Sequence, residues 1–195
     1  MARKATVRRR TTETDVAVEL ELDGQGSYRI KTGLPFFDHM LAQLAKHGLF
    51  NLTLRAKGDL EVDPHHTMED VGLALGEAFS QALGNRARIR RYGQATVPMD
   101  DALGSVAVDL SGRPYLAYRA DGLVGKIGEF DAVLLKEFFR AFATALKANL
   151  HIGIPYGENT HHMAEAVFKA AGRALDAAIS LDPRVTGIPS TKGKL

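Results

Sequence analysis

Apolar and polar residues alternate near the start of the chain. Val16, Val18, Leu20 and Leu22 are separated by single polar or small residues. This period of two is typical of strands that bury one face and expose the other. The segment DGQGS that follows is rich in turn-forming residues, so we predict strands joined there by a hairpin turn.

The period changes to that of a helix from Pro35 onwards. Phe37, Met40, Leu41 and Leu44 fall on one helical stripe, and Gly48 is suited to end it. The next segment, NLTLRAKGD, has the pattern of a strand. A second helix is predicted from HHTMEDVGLALGEAFSQALGN, which contains another apolar stripe.

The same order of patterns restarts near residue 93. Strand alternation covers residues 93–122, a helical pattern covers 129–150, a short strand covers 151–157 and a second helix covers 160–180. Each half therefore consists of strands, helix, strand and helix. We predict an α+β fold of two duplicated halves, residues 1–92 and 93–195, packed as a sandwich around one shared core.

Composition limits the possible functions. The 195 residues are 45% hydrophobic and 25% charged, with a formal net charge of +2 and no cysteine. These values are typical of an ordinary globular protein. Without cysteine, a metal must be bound by imidazole and carboxylate, which suits Mn, Fe, Zn or Ni. The chain has no long apolar run and no signal peptide at its start, so we predict a cytoplasmic protein that does not enter membranes.

The motif His-His-x-x-Glu occurs twice, and each copy opens the last helix of its half. The copies contain four of the seven histidines. Residues four apart on a helix lie within about 40° of each other, whereas neighbours are about 100° apart. His65 with Glu69, and His161 with Glu165, are therefore placed to share one ion each. The adjacent His66 and His162 point towards a second ion.

Two such helices could complete each other's sites. His162 would join His65 and Glu69 at one ion, and His66 would join His161 and Glu165 at the other. The two sites together would form a dinuclear centre. The alternative is that these histidines are solvated residues at helix starts, but repetition at matching places favours metal binding. A zincin protease is excluded by spacing, because H-E-x-x-H places Glu between the histidines.

Other short segments accompany this motif. They are RRTTET (9–14), FFDHMLAQLAKHGLFNL (36–52), RRYG (90–93), DLSGRPY (109–115) and GIPSTKG (187–193). Together with the histidine pairs they resemble the imidazoleglycerol-phosphate dehydratase family, in its monofunctional form. The resemblance extends from about Arg3 to the end of the chain.

The resemblance implies a fold like the second domain of ribosomal protein S5. It also implies two Mn²⁺ per subunit and a large homo-oligomer, expected to contain 24 copies, with active sites between neighbours. The expected reaction of histidine biosynthesis removes water from D-erythro-imidazole glycerol phosphate and yields imidazole acetol phosphate. By position, one metal would be bound by His39, His65, Glu69 and His162, and the other by His66, His161, Glu165 and Glu137.

Further roles follow from the same resemblance. The predicted catalytic residues are Glu13, His47, Glu69 and Glu165. Glu13 is the candidate base, with His47 as second choice. The predicted substrate contacts are Glu13, His39, His47, His65, Glu69, Arg91, Arg113, His161, Lys169, Ser190, Thr191, Lys192 and Gly193. The basic residues and the STKG segment would bind the phosphate.

Several residues keep two interpretations. Glu137 stands where some family members have histidine. It is therefore either a direct metal ligand or a residue that contacts the ligands without binding the metal itself. Asp100 and Asp101 are either turn formers or residues that support a metal ligand. His151 is interpreted as a structural residue of a strand.

Two other classes of function compete with a dehydratase. A metal-dependent phosphohydrolase would also use two metals and a phosphate pocket, although its ligands are usually rich in Asp. An RNA-binding module would explain five basic residues among the first ten. Because that segment continues into strand alternation, we interpret these charges as a solvated strand face and predict no nucleic-acid partner.

Overall fold

The structure is a computed structural model that describes residues 3–195. The first half contains, in chain order, β1 (Lys4–Arg10), β2 (Thr14–Glu21), β3 (Tyr28–Lys31), α1 (Pro35–His47), β4 (Asn51–Gly58) and α2 (His65–Leu83). The second half contains β5 (Tyr92–Met99), β6 (Ala102–Asp109), β7 (Tyr115–Arg119), β8 (Lys126–Ile127), β9 (Phe130–Asp131), α3 (Leu134–Leu146), β10 (Asn149–Tyr156) and α4 (Thr160–Ile179). The predicted α+β class is confirmed.

Each half forms a four-stranded sheet with the same topology. The strand orders are β1-β2-β4-β3 and β5-β6-β10-β7. In the first sheet β2 is antiparallel to both β1 and β4, while β3 is parallel to β4. The second sheet repeats this arrangement strand for strand. The exact division at residues 92 and 93 stays a prediction.

The four helices lie between the two sheets. On one side α2 packs against β1 and β2, and on its other side against α3. In the same way α4 packs against β5 and β6, and against α1. Because a sheet and a helix stripe each have one apolar face to bury, this layering covers all of them at once.

Aromatic rings join the halves at the centre of the helical layer. Phe138 of α3 lies 5.1 Å from Phe37 of α1 and 5.7 Å from Phe168 of α4, measured between ring centroids. Phe79 of α2 lies 5.5 Å from Phe142 of α3. All five rings are almost fully buried, and burying each stabilises the fold by about 1.5–3 kcal/mol. Buried residues of the two halves therefore form one core.

Two glycines let the helix pairs cross closely. Gly76 of α2 and Gly172 of α4 each follow the first histidine of their motif by eleven residues. A Cβ on Gly76 would lie 2.5 Å from the carbonyl oxygen of Phe142, and one on Gly172 would lie 2.6 Å from that of Leu44. One close helix crossing thus occurs at an equivalent place in each half.

The predicted hairpin at DGQGS is wrong. The strands on either side of it, β2 and β3, are separated by β4 in the sheet. The loop is fastened to β4, because the side-chain oxygen of Asn51 accepts hydrogen bonds from the backbone N–H groups of Gln25 and Ser27. A turn-rich composition predicts a reversal of the chain, but it does not specify which strand becomes the neighbour.

The helix predicted from residue 129 begins later. Residues up to Asp131 form the short β8–β9 hairpin, and α3 starts at Leu134. It ends before Lys147, which adopts a left-handed conformation with φ of 55°, and the next residues enter β10. No helix among residues 3–195 combines the length and apolarity needed to cross a membrane.

Candidate active site

The second histidine pair lies in the first turn of α4. The side chain of Asn159 caps this helix by accepting hydrogen bonds from the backbone N–H groups of His161 (2.9 Å) and His162 (3.3 Å). This cap fixes the start of the helix, so that Glu165 follows His161 by one turn. Only 9% of the Glu165 side chain is exposed.

A cluster of possible metal ligands forms around Glu165. Its Oε2 lies 3.1 Å from His39 Nε2 and 3.3 Å from His161 Nε2. His39 reaches it from α1, because α1 packs against α4. One ligand atom from each residue lies within 4.8 Å of the other two. Imidazole nitrogen and carboxylate oxygen at this spacing suit a divalent transition metal.

Lys169 completes the surroundings of this carboxylate. Its Nζ lies 2.6 Å from Glu165 Oε1. Burial raises the pKa of Glu165, but Lys169 and His39 oppose burial more strongly and leave that pKa below its ordinary value. Glu165 is therefore held in its charged form, which is the form that binds a metal.

Aspartates from outside the helices contact the second histidine of each pair. His162 Nδ1 lies 2.5 Å from Asp101 Oδ1, at the tip of the β5–β6 hairpin. His66 Nδ1 lies 3.0 Å from Asp59 Oδ2, just after β4. Asp100 Oδ2 lies 3.7 Å from His162 Nε2.

The first histidine pair opens α2 with fewer partners. Asp63 accepts a hydrogen bond of 2.6 Å from the backbone N–H of His65. Glu13, in the β1–β2 turn, places Oε2 3.9 Å from His66 Nδ1. Glu69 is exposed. The candidate base Glu13 and the first histidine pair therefore lie near each other, at the same end of the first sheet.

The two histidine pairs do not merge within one chain. Among residues 3–195, His39, His161 and Glu165 form the only group of three ligand atoms at such close spacing. The resemblance had assigned His39 to a different ion from the other two. Glu137 makes an ion pair of 2.8 Å with Arg140 on its own helix. The assignment of ligands to individual ions stays a prediction.

The predicted phosphate contacts occupy different surroundings. Arg91 is held by Asp109, with Nε 2.7 Å from Oδ1, and it donates a 2.9 Å hydrogen bond to the carbonyl oxygen of Pro189. This contact anchors the C-terminal segment, in which the Ser190 side chain accepts a 3.2 Å hydrogen bond from the Lys192 backbone. Arg113, Thr191, Lys192 and Gly193 are exposed.

His47 stands at the end of α1 beside a surface cavity of about 600 Å³, which Lys46 and Arg173 also line. Burial lowers the pKa of His47, and the positive charges of Lys169 and Arg173 lower it further. A neutral imidazole next to several cations suits both proton transfer and the binding of an anionic group. His151 lies elsewhere, exposed on β10 and 6.0 Å from the ring of Tyr115.

Sequence reasoning missed several supporting carboxylates. Asp59 and Asp109 were not singled out, and Asp101 was left with two interpretations. Asp70 was also missed, although it is buried and accepts hydrogen bonds from Arg9 and Thr14. Asp70, Asp101 and Asp109 bind residues far away in the chain, so no local spacing could have identified them, whereas Asp59 lies only seven residues before His66.

The basic residues near the N-terminus pair with acids of β2, the loop after it or α2. Their partners are Asp23 for Arg3, Glu21 for Lys4, Asp15 for Arg8 and Arg10, and Asp70 for Arg9. Ion pairs with β2, the loop after it and α2 therefore balance most of these charges. This is more pairing than a simple solvated strand face would require.

Comparison with known proteins identifies the family. The family model described as imidazoleglycerol-phosphate dehydratase matches residues 32–175. The chain belongs to the imidazoleglycerol-phosphate dehydratase family. It is thus a hydro-lyase, a dehydratase of histidine biosynthesis.

Relatives and solved structures extend the match over the chain. The imidazoleglycerol-phosphate dehydratase of Geobacter metallireducens is 56% identical over 195 residues, which cover 100% of both chains. That of Caldanaerobacter subterraneus is 56% identical over 193 residues, 99% of this chain and 100% of the other. A crystal structure from Pyrococcus furiosus, in complex with (S)-C348, matches with a TM-score of 0.84 and 40% identity, covering 97% of this chain and 100% of the other. A Staphylococcus aureus structure gives 0.79 and 36%, covering 91% and 100%. The predicted family and fold are confirmed.

Proposed function

We propose that the chain removes water from D-erythro-imidazole glycerol phosphate, with two Mn²⁺ per subunit, and releases imidazole acetol phosphate. The observation that carries this proposal is the cluster of His39, His161 and Glu165, at one of two copies of a His-His-x-x-Glu motif. The family's activity supports the reaction class, and the cluster of candidate ligands supports the presence of metal ions.

The residues present fit such an ion. Mn²⁺ accepts both imidazole nitrogen and carboxylate oxygen. Glu165 is charged and nearly buried, and two imidazoles approach the same carboxylate oxygen. The proposed ligands are His39, His65, His66, Glu69, His161, His162 and Glu165, with Glu137 as an eighth candidate. When bound, the two ions would favour the imidazolate form of the substrate ring, because a cation stabilises the deprotonated ring.

Proton transfer is assigned to residues of the chain. The hydroxyl leaves from the carbon attached to the ring, and a base removes the proton from the next carbon. The resulting enol becomes the ketone of the product. Glu13 is the proposed base, since Glu69 and Glu165 are assigned to metal and Glu13 lies close to His66. His47, whose pKa is lowered, is the second candidate.

The phosphate is assigned to the basic residues and the C-terminal segment. Arg113, Lys169 and Lys192 would supply positive charge, together with Arg91 and the donors of Ser190, Thr191 and Gly193. The hold of Arg91 on Pro189 supports this assignment, because it fixes the segment that carries Ser190 and Lys192.

We further propose a large homo-oligomer, expected to contain 24 subunits, in the cytoplasm. The support is the incomplete first motif: Glu69 is exposed, and His65 and His66 lie outside the close cluster of the same chain. A neighbouring copy that supplied the missing ligands would complete both metal sites.

The balanced charges at the N-terminus favour this enzyme over an RNA-binding module.

Metal content and activity, measured together, test the proposal. Protein saturated with Mn²⁺ should contain about two ions per chain, and a chelator should remove both ions and activity. Formation of the dehydrated ketone, without release of inorganic phosphate, separates this reaction from a phosphohydrolase. A fully active metal-free protein would contradict the dinuclear proposal.

Acid should test the link between metal and assembly. Protons compete with Mn²⁺ for imidazole near pH ~6.5 and below. Light scattering and activity should therefore fall together as the pH is lowered, and recover when Mn²⁺ is raised. An intact, metal-loaded assembly without activity would show that acid acts on a catalytic base instead.

A further inference from the structure

Both second histidines of the repeated motif face an aspartate from outside their helix. His162 meets Asp101 through Nδ1, at 2.5 Å, and His66 meets Asp59 through Nδ1, at 3.0 Å. The two aspartates come from different parts of the topology, a β5–β6 hairpin and the end of β4. The two histidines therefore make the same type of contact, although the two aspartates do not occupy equivalent positions in the halves.

A carboxylate accepts hydrogen bonds but does not donate them. A neutral imidazole facing it must therefore carry its one ring proton on Nδ1, which leaves the lone pair of Nε2 free to bind a metal. We infer that Asp59 and Asp101 are positioning residues that hold His66 and His162 in this tautomer, so that each presents Nε2 to a metal ion. This inference rests on the proposed metal centre.

Asp101 is the more firmly held of the two. Its Oδ1 faces His162, while its Oδ2 accepts backbone hydrogen bonds from Glu158 (2.7 Å) and Asn159 (2.9 Å). Both oxygens are thus committed. In the part of the chain described, Asp59 Oδ1 is buried without a hydrogen-bond partner, so only its Oδ2 is committed.

This difference makes the Asp101→Asn substitution informative. An Asn whose oxygen keeps the two backbone hydrogen bonds must turn its NH₂ group towards His162. That donor requires an unprotonated Nδ1 and moves the proton to Nε2, the nitrogen needed by the metal. Asp59→Asn can instead turn its oxygen to His66 and keep the original tautomer, because its other atom has no fixed partner.

The test is Mn²⁺ affinity, measured by calorimetry on metal-stripped protein. We expect Asp101→Asn to weaken binding by about 10–100-fold, and Asp59→Asn to weaken it less. Asp23→Asn, which changes an exposed carboxylate paired with Arg3, should bind as the wild type does.

Asn159→Ala is the control for a loosened helix start. It removes the cap of α4 without touching Nδ1 of His162, so it should lower thermal stability with a smaller effect on Mn²⁺ affinity than Asp101→Asn. Equal losses of affinity in these two variants would overturn the inference. So would a folded Asp101→Asn protein that binds Mn²⁺ like the wild type. A wild-type protein that binds no Mn²⁺ would overturn the proposed centre itself.

Discussion

The two copies of the His-His-x-x-Glu motif begin equivalent helices but lie in different surroundings. In α4, Glu165 is 9% exposed and contacts His39, His161 and Lys169. In α2, Glu69 is exposed. The backbone duplication is nearly complete, yet among residues 3–195 only the second copy belongs to a close cluster of three candidate ligands.

The partner helices explain this difference. α4 packs against α1, which contributes His39 to the cluster, whereas α2 packs against α3. In the first turn of α3 stands Glu137, which pairs with Arg140 of its own helix. The motif therefore fixes the spacing of the candidate ligands on its own helix. Whether a third candidate ligand lies near them depends on the neighbouring helix, which is α1 for α4 and α3 for α2.

Removing one histidine from each copy should have the largest effect and test whether both are needed. His65→Ala and His161→Ala should each abolish turnover, because each removes a proposed metal ligand. Steady-state assays with metal analysis would measure this. If only His161→Ala lost activity and metal, the first copy would not belong to the centre.

Glu13 lies beside the first copy alone, so its substitution tests a chemical difference between the halves. Glu13→Gln should lower kcat by about 10²–10⁴-fold with little change in KM, as expected for loss of a general base. Lys4→Gln, on the same sheet but away from the turn, should serve as the unaffected control. An unchanged kcat in Glu13→Gln would transfer the role of base to His47 or to a water.

The close helix crossings are where the halves agree, and they should respond equally. Gly76→Ala and Gly172→Ala each place a methyl group within 2.6 Å of a backbone oxygen. Each should lower the free energy of unfolding by about 1–3 kcal/mol through overpacking. Gly187→Ala has no atom within 4 Å of the added carbon and should change little. Chemical denaturation measures all three, and unequal losses at the two crossings would contradict the equivalence.

The two glutamates should differ in metal-free protein. Glu165→Ala leaves Lys169, whose side chain is 17% exposed, without its partner, and should cost about 1–2 kcal/mol of unfolding free energy. Glu69→Ala should stay within about 0.5 kcal/mol of wild type, as exposed positions do. Similar losses in thermal unfolding would show that α2 is as well organised as α4.

The smallest effect is expected outside both motifs. Lys192→Ala should raise KM by about tenfold, equivalent to about 1.4 kcal/mol, with kcat almost unchanged, because a phosphate contact acts in ground and transition states alike. Lys194→Ala is the neighbouring control. A fall in kcat at constant KM would place Lys192 nearer to the reacting atoms.

Much of the fold was predictable from periodicity. The alternation at Val16, Val18 and Leu20, and the stripe at Phe37, Met40 and Leu41, correspond to residues that the structure buries. Period and face follow from local backbone geometry, which the sequence encodes directly. The hairpin at DGQGS failed for the converse reason, because pairing with β4 depends on a segment that the local sequence does not contain.

For the site, the sequence by itself determined the family, and it determined which candidate ligands share a helix and how they are spaced. These follow from helical geometry and from short motifs. Only the tertiary structure decided that His39 meets Glu165, that Asp101 and Asp59 face Nδ1 of His162 and His66, and that Arg91 holds Pro189. Each of these contacts joins residues brought together by packing of sheets and helices, and the free energy that selects that packing is spread over the whole core rather than over any one segment.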